Sequence, residues 1–600
     1  MGPLSNLNSY YWTYRRLFVP GLLCAIASSV FAIIVPGVVR QAVDVIPQMV
    51  ATYRSFAGTP AAGHIRWFHL QSLIGSGLLI LLLSVFSGVF SFLMRQTVVV
   101  ASRHIEFDLR NRLYEHIQTL SHGFYVRHTT GDLITRSTSD IEQVRRYIGP
   151  ALMYATRAIV TIVTAITAMF IISPRLTAFA LIPMPFLALS VFFLARMVNH
   201  RSDALQEQYS RLTSRVQETL SGIRVLKAYA REEAEQDVFE AESAKYRAKS
   251  LGLAFVEAAW HPVFVIIVGL STIIVVWEGG RQVVAGTITL GNIAEYIIYV
   301  ALMTWPVAAF GYVISMVQRA SASMARLQAI FDAKADVADR EVTDPSVRSV
   351  EGSITFENVT FRYEADRDPV LDAVSFSAPA GSTVGIVGRT GSGKSTLVEM
   401  IPRLLEPDSG RVLVDSRDVR TIPLDTLRTA IGYVPQEVFL FSDSIAGNIA
   451  FGRMDAPLED VRKAAEEADL LSNVDEFKDG FETLVGERGI TLSGGQKQRT
   501  AIARALVREP RILILDDSLS AVDTSTERTI LGHLRTHFGK RTIVIVSHRI
   551  SAVQDADQIV VLDEGRVAEL GSHDVLLKRD GLYASMYRKQ LLEEEFAALA

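Results

Sequence analysis

Six long apolar runs crowd into the first 320 residues of this 600-residue chain, and they limit the fold more than any other feature. A hydrocarbon layer of ~30 Å needs about 20 apolar residues wound as a helix, because only a helix or a closed barrel satisfies its own backbone polar groups in lipid. The runs are Leu17–Val39, Trp67–Met94, Ala158–Pro174 with a start as early as Ile148, Leu176–Ala195, Ala258–Trp277 and Tyr296–Gln318. Pro183, Pro185 and Pro262 lie inside them, where neighbouring helices can satisfy the freed carbonyls. The first run follows Arg15 and Arg16, as in a twin-arginine leader, but its 23 uncharged residues exceed a signal core. It is expected to be retained as a membrane helix.

The connections carry the orientation. The segments Arg95–Gly149 and Arg196–Glu257 hold 8 and 10 Lys+Arg, whereas the first and last of the other connections hold 3 and 1. Positive residues favour the cytoplasmic side, so both long segments and both termini are expected there, in a plasma or inner membrane. Ser202–Arg215 and Glu232–Arg247 have the composition of helices reaching well beyond the bilayer. Tyr10, Tyr11, Trp12 and Tyr14 suit either an interfacial helix or the aromatic belt of the first span.

Beyond Glu351 the pattern changes to short β-rich runs alternating with helical stretches: Ser382–Val387, Arg511–Asp516, Thr542–Val546 and Gln558–Leu562. That alternation predicts an α/β domain with a largely parallel sheet. The expected organisation is a six-span α-helical membrane domain over 1–330 with long helical extensions, a linker over 331–350, an α/β P-loop domain over 351–590 and a tail over 591–600. A net charge of −4 shows no basic excess and gives no support for nucleic-acid binding. Cys24 is the only cysteine, so no intrachain disulfide or cysteine-based metal cluster can form.

The α/β half carries a phosphate site. Gly388, Arg389, Thr390, Gly391, Ser392, Gly393, Lys394 and Ser395 match G-x-x-x-x-G-K-[ST] between a strand and a helical run that starts at Thr396. Converging N–H groups and a helix N-terminus suit phosphate oxygens. Lys394 can bridge the β- and γ-phosphates of ATP, and Ser395 can ligate Mg²⁺. Ile512–Asp516 is an apolar strand ending in a carboxylate that can hold the same ion through water.

With Ser493, Gly494, Gly495 and Gln496 preceded by Leu492, these residues resemble the ATP-binding cassette (ABC) transporter family, whose signature is LSGGQ. The resemblance covers nearly the whole chain and is closest to an exporter-type half-transporter. It implies that Tyr363 stacks on adenine, that Gln436 is the Q-loop glutamine touching the metal, that Asp523 lies in the D-loop and that His548 is the switch histidine. Val485–Gly489 look like the loop that precedes the signature in exporters, and Tyr125–Asp140 and Ser221–Glu233 like helices that couple the spans to the cassettes. It also implies two cassettes facing head to tail, so a second half-transporter is needed, and a hydrophobic or amphipathic small molecule as cargo. In one position the chain departs from the family. The residue after Asp516, usually a glutamate that polarises the attacking water, is Asp517. A carboxylate one methylene shorter is expected to hydrolyse ATP poorly, which favours a heterodimer whose other chain supplies the glutamate. A homodimeric exporter or lipid flippase, or an ATP-gated channel or regulator, are the alternatives. An importer is disfavoured because membrane and cassette parts are fused. Arg157 and Glu295 read as interfacial or cavity-rim charges, His261 as a cap on the Pro262 kink, and Trp305 as packing or cavity lining.

Overall fold

The computed structural model describes residues 2–599 except 58, 365, 487, 488, 490, 521 and 536–538. Six helical runs are long and apolar enough to cross a membrane: α1 (Arg15–Ser55), α2 (Gly63–Thr119), α3 (Thr130–Ile172), α4 (Pro174–Ser221), α5 (Glu232–Val284) and α6 (Leu290–Phe331). Five of them contain one apolar run each, and the remaining run, Ala158–Pro174, overshoots the end of α3 by two residues; each helix outlasts the ~30 Å hydrocarbon layer, since even 41 residues of helix measure about 60 Å. The turn between α3 and α4 is as short as the sequence suggests. Ser173 ends one helix and its hydroxyl accepts the Leu176 N–H at 3.2 Å, while Pro174 opens the next helix, where a missing N–H costs nothing.

α3 contains two π-helical turns, Arg136–Asp140 and Tyr147–Ala151, the second of which holds Pro150. A proline inside a helix breaks the i→i−4 ladder, and a wider turn absorbs it. The first π turn aims Asp140 inward. Its carboxylate is buried, accepting from Ser323 Oγ at 2.9 Å and Arg326 Nε at 2.9 Å on α6. Asp140→Ala is expected to cost about 2 kcal/mol, since charged hydrogen bonds contribute roughly 1.5–3 kcal/mol each and Arg326 is half exposed. Thermal unfolding in detergent should show a fall of a few degrees.

Glu295 is buried on α6. It accepts from Tyr299 Oη at 3.1 Å and from Asn292 Nδ2 at 3.4 Å, and Arg40 of α1 lies 3.7 Å away. It is therefore an interhelical tether rather than a rim charge. His261 is exposed on α5 and forms no hydrogen bond among the described residues.

Contacts divide the chain into two units, Met1–Gln118 with Thr130–Ala333, and Thr119–Thr129 with Lys334–Ala600. The short helix His122–Arg127 thus groups with the second unit, where Ser121 Oγ receives the Asp336 N–H at 3.2 Å and Arg127 pairs with Asp336 at 3.2 Å. The segment after Phe331 is pinned to the α/β half. Arg403, itself buried, donates to Ala338 O at 3.0 Å, and Asp344 N–H donates to Thr421 O at 2.8 Å.

The α/β half has two sheets. Strands β1 (Ile354–Phe361), β2 (Leu371–Ala378), β4 (Ser409–Val414) and β5 (Arg417–Asp418) form an antiparallel sheet in the order β2-β1-β4-β5. Strands β3 (Thr383–Gly388), β6 (Ile431–Val434), β7 (Ile512–Asp516), β8 (Thr542–Val546), β9 (Gln558–Asp563) and β10 (Arg566–Gly571) form the second, ordered β10-β9-β3-β8-β7-β6. All but β10 run parallel. β3, β7 and β8 are buried along their whole length. Alternate side chains feed two cores: Val384, Ile386, Ile512 and Ile514 toward the antiparallel sheet, and Val387, Leu513, Leu515 and Ile543 toward helices on the other face. Burial on both faces is what makes these strands read as unbroken apolar runs.

Candidate functional site: an ATP pocket at the strand ends

Parallel strands end on one edge, and in open α/β sheets that edge is where ligands bind. Here β3 delivers Gly388, β6 is followed by Gln436, β7 ends in Asp516 with Asp517 next, and β8 is followed by His548. They meet in a cavity of about 210 Å³ lined by Val370, Thr390, Gly391, Gly393, Lys394, Ser395, Thr396, Gln436, Asp516, Asp517, Val546 and His548.

The loop after β3 wraps this cavity. Gly393 has φ +93°, and a Cβ there would sit 2.8 Å from the Val370 carbonyl oxygen, so only glycine fits. Helix α7 (Lys394–Glu399) starts at once, with its N-terminus facing the cavity mouth. Lys394 is buried and donates from Nζ to Gly388 O at 3.0 Å and Arg389 O at 2.8 Å. Burial holds its pKa below the ordinary lysine value, against the opposing pull of Asp517 and Asp516. Ser392 Oγ is buried without a hydrogen-bond partner, an orphaned donor in a loop shaped for oxygen ligands. Arg389 is exposed on the same loop.

Ser395 Oγ donates to Asp516 Oδ1 at 3.1 Å. Burial, joined by the Asp517 charge, raises the Asp516 carboxyl above the usual range, while the Ser395 hydroxyl and Lys394 pull it back. Gln436 Nε2 donates to Asp517 Oδ2 at 3.4 Å. Asp517 has φ +46°, and its N–H donates to Val546 O at 2.9 Å, which ties it to the end of β8. Burial, with Lys394 nearby, lowers the His548 pKa, so the ring is neutral at pH 7. Among the described residues no cluster of three or more His, Cys, Asp or Glu could cage a metal by itself. The donors at hand are a hydroxyl, an amide and one carboxylate. That set fits Mg²⁺, which keeps several waters and takes one or two carboxylates plus substrate phosphates.

Other expected residues stand apart from the cavity. Tyr363, half exposed, packs edge-on to Phe361 with centroids 5.0 Å apart, and its Oη is 3.0 Å from Thr396 Oγ1. Ser493 caps helix α8 (Gly494–Leu506): Ser493 Oγ accepts Gln496 N–H, and Gln496 Oε1 accepts Ser493 N–H at 2.9 Å. Ser493 and Gly494 are exposed, and none of Ser493–Gln496 lines the cavity. Asp523 accepts from the Ser525 hydroxyl at 2.5 Å and from Thr526 N at 2.9 Å, which lowers its pKa, and it too lies off the cavity. In the loop before the signature, Glu487 and Arg488 lie outside the described residues.

Two residues that sequence reasoning missed hold this machinery. Gln590, on helix α9 (Leu582–Leu599), donates to His548 O at 2.5 Å and accepts Ile550 N–H at 2.8 Å, bracketing the segment that carries His548. Arg504 on α8 donates to Phe439 O at 2.9 Å and Asn448 O at 2.8 Å, fixing the stretch after Gln436, and burial lowers its pKa to about 10. Neither has a local pattern. A glutamine on a charged helix and an arginine on an amphipathic one look like surface residues until the long-range partners are known.

Residues 18–307 match the ABC transporter transmembrane region and residues 371–520 match the ABC transporter family proper. The chain is 34% identical over 590 residues to the uncharacterised ABC transporter ATP-binding protein YknU of Bacillus subtilis (strain 168), covering 98% of each. The chain belongs to the ABC transporter family. It is also 35% identical over 513 residues to the multidrug resistance-like ATP-binding protein MdlA of Escherichia coli (strain K12), covering 85% of this chain and 86% of that one. A bacterial Atm1-family ABC exporter solved with ATP bound superposes with a TM-score of 0.78 at 28% identity, over 96% of this chain and 98% of that chain. This ABC transporter is therefore a multi-pass membrane protein of the exporter type, and its cassette couples ATP hydrolysis to transport.

Proposed function

We propose that this chain is one half of a heterodimeric ATP-driven exporter of hydrophobic or amphipathic compounds, with its own P-loop site the slower of two. The observation that carries this reading is the pairing of Asp517, in the cavity beside Lys394 and Asp516, with an intact signature that lies exposed and off that cavity. Two cassettes face head to tail. This chain's Ser493, Gly494, Gly495 and Gln496 close the partner's ATP, and the partner's signature closes the ATP held here. The cassette and both termini are cytoplasmic, and the short helix Ile223–Ala228 between α4 and α5 serves with His122–Arg127 in coupling.

The roles follow from the chemistry of the side chains. The loop Gly388–Gly393 and Lys394 bind the phosphates. Ser395, Gln436 and Asp516 would hold Mg²⁺, which would supply charge neutralisation for the phosphates. Asp517 orients the attacking water, Gln436 positions Asp517, and neutral His548 donates a hydrogen bond to the γ-phosphate. Asp523 belongs to the contact with the facing cassette. In-line attack needs the base within ~2.6–3.2 Å of the water or one water removed, and a displacement of about 1 Å costs about 100-fold. Asp517 falls short of a glutamate by one C–C bond.

Tyr363→Ala is expected to weaken MgATP binding about tenfold, the ~1.4 kcal/mol of a base stacked on an aromatic ring, leaving turnover of bound nucleotide unchanged. Titration with a fluorescent ATP analogue measures it. The export reading is tested in proteoliposomes of the purified assembly. ATP should drive vectorial accumulation of an amphipathic dye and the dye should stimulate ATP hydrolysis. Passive ion conductance gated by ATP, with no dye accumulation, would instead mark a channel.

A further inference from the structure

Arg157 is a cation inside a spanning helix with no carboxylate beside it. Counting from the turn at Ser173, it lies 16 residues, about 24 Å, along α3, some 6 Å short of the far side of a ~30 Å hydrocarbon layer measured from that turn. An ionisable side chain inside a spanning helix is a functional-site hypothesis by default. Three other arginines of these helices have carboxylate partners: Arg40 with Glu295, Arg175 with Glu278, Arg326 with Asp140. Arg157 forms no ion pair and no hydrogen bond among the described residues, and it is exposed.

Arg157 lines a cavity of about 250 Å³ between α1, α3 and α6. The lining is mixed in a directed way. Ser29 and Thr161, whose hydroxyls are 3.5 Å apart, and Tyr154 supply hydroxyl donors, while Trp305, two-thirds exposed, offers a large apolar face. Pro306 has no N–H for the Leu302 carbonyl one turn back, so the α6 wall is locally open. No Asp or Glu lines the cavity. Its only formal charge is positive, every other polar side chain can donate a hydrogen bond, and the remainder is apolar.

Resting on the export reading above, we infer that this cavity is a cargo site for amphipaths with one anionic head, a phosphate, sulfonate or carboxylate, with Arg157 as the ligand-contacting cation and Trp305 against the tail. An anionic head restores the charge balance that Arg157 lacks, and a planar guanidinium gives two parallel hydrogen bonds to such a group. A cationic head would face Arg157 with no acid to offset it.

The test uses the full-length exporter in phosphatidylcholine nanodiscs without ATP, with radiolabelled dodecyl phosphate as the probe and dodecyltrimethylammonium as its cationic counterpart. Dodecyl phosphate should bind tighter than the cation. Arg157→Gln should weaken it tenfold or more, Arg157→Lys by no more than about threefold, and Arg157→Glu should invert the preference. The lysine variant shows that loss follows charge rather than damage to the fold. Equal binding by wild type and Arg157→Gln, preference of the wild type for the cation, or binding of neither probe would overturn the inference. Adding phosphatidylglycerol to the discs separates the sources of the anionic head: displacement assigns the site to a bilayer lipid, and no displacement assigns it to an amphipath from outside the bilayer pool. Transport is read separately. ATP-driven uptake of cationic dyes without Arg157-dependent binding leaves export standing and removes this inference, whereas Arg157-dependent binding with no ATP-driven movement does the reverse.

Discussion

Asp517→Glu is expected to speed ATP turnover at this chain's own P-loop by about 10- to 100-fold. The backbone of Asp517 is fixed by its N–H to Val546 O at 2.9 Å and its carboxylate is held by Gln436 at 3.4 Å, so it cannot advance toward a γ-phosphate without leaving that contact. One added methylene moves the carboxylate outward by about one bond, and a correction of ~1 Å in a near-attack geometry is worth about 100-fold at most. ATP affinity should change little, because Lys394, Ser395 and the loop are untouched. Single-turnover phosphate release, with the partner's site silenced, separates the two quantities. A rate equal to wild type would remove the geometric reason for calling this site slow.

Lys394→Ala is expected to act on the other quantity, weakening MgATP binding at this site about 100-fold or more. A lysine that meets phosphate oxygens makes charge-assisted hydrogen bonds of roughly 1.5–3 kcal/mol each, and two of them account for that loss. The site needs this cation for a second reason. Asp516 and Asp517 both line the cavity, and Lys394 is the only lysine or arginine among the described residues that line it, so without it an incoming triphosphate meets two carboxyl groups unoffset by the lining. The pKa of the Asp516 carboxyl should move further above its ordinary range, since Lys394 is one of the groups that pulls it down. Photo-crosslinking with an azido-ATP, read separately for each chain of the assembly, gives the occupancy. Unchanged labelling of this chain would contradict the assignment.

Much of this was legible in the residues alone, and the reason is locality. The P-loop is a contiguous stretch between a strand and a helix, so spacing exposes it. The spans are contiguous too, and all six apolar runs fall within long helices but for the last two residues of Ala158–Pro174. The convergence of Gln436, Asp516, Asp517 and His548 is one step further away: it follows once β3, β6, β7 and β8 are recognised as parallel, because parallel strands bring their following residues to one edge. What stayed hidden depends on pairs far apart in the chain. Asp140 reads only as the end of a coupling segment until a π turn carries it to Arg326, 186 residues on. Glu295 reads as an interfacial or cavity-rim charge until Arg40, on another helix, is found 3.7 Å away. Gln590 reads as a surface residue until it brackets His548. Such partners leave no periodicity in the sequence. Arg157 reads as an interfacial or cavity-rim charge, and only the three-dimensional arrangement shows that, among the described residues, no acid lines the cavity beside it.

The central claim is that two unlike cassettes sandwich the nucleotide, this chain contributing the slow P-loop and completing its neighbour's fast one. Mass spectrometry of the intact complex, purified from its native membrane through this chain, tests it most directly. The account predicts one copy of this chain with one copy of a different half-transporter that carries Glu after its strand-terminal Asp. Two copies of this chain alone, turning over ATP briskly, would contradict it.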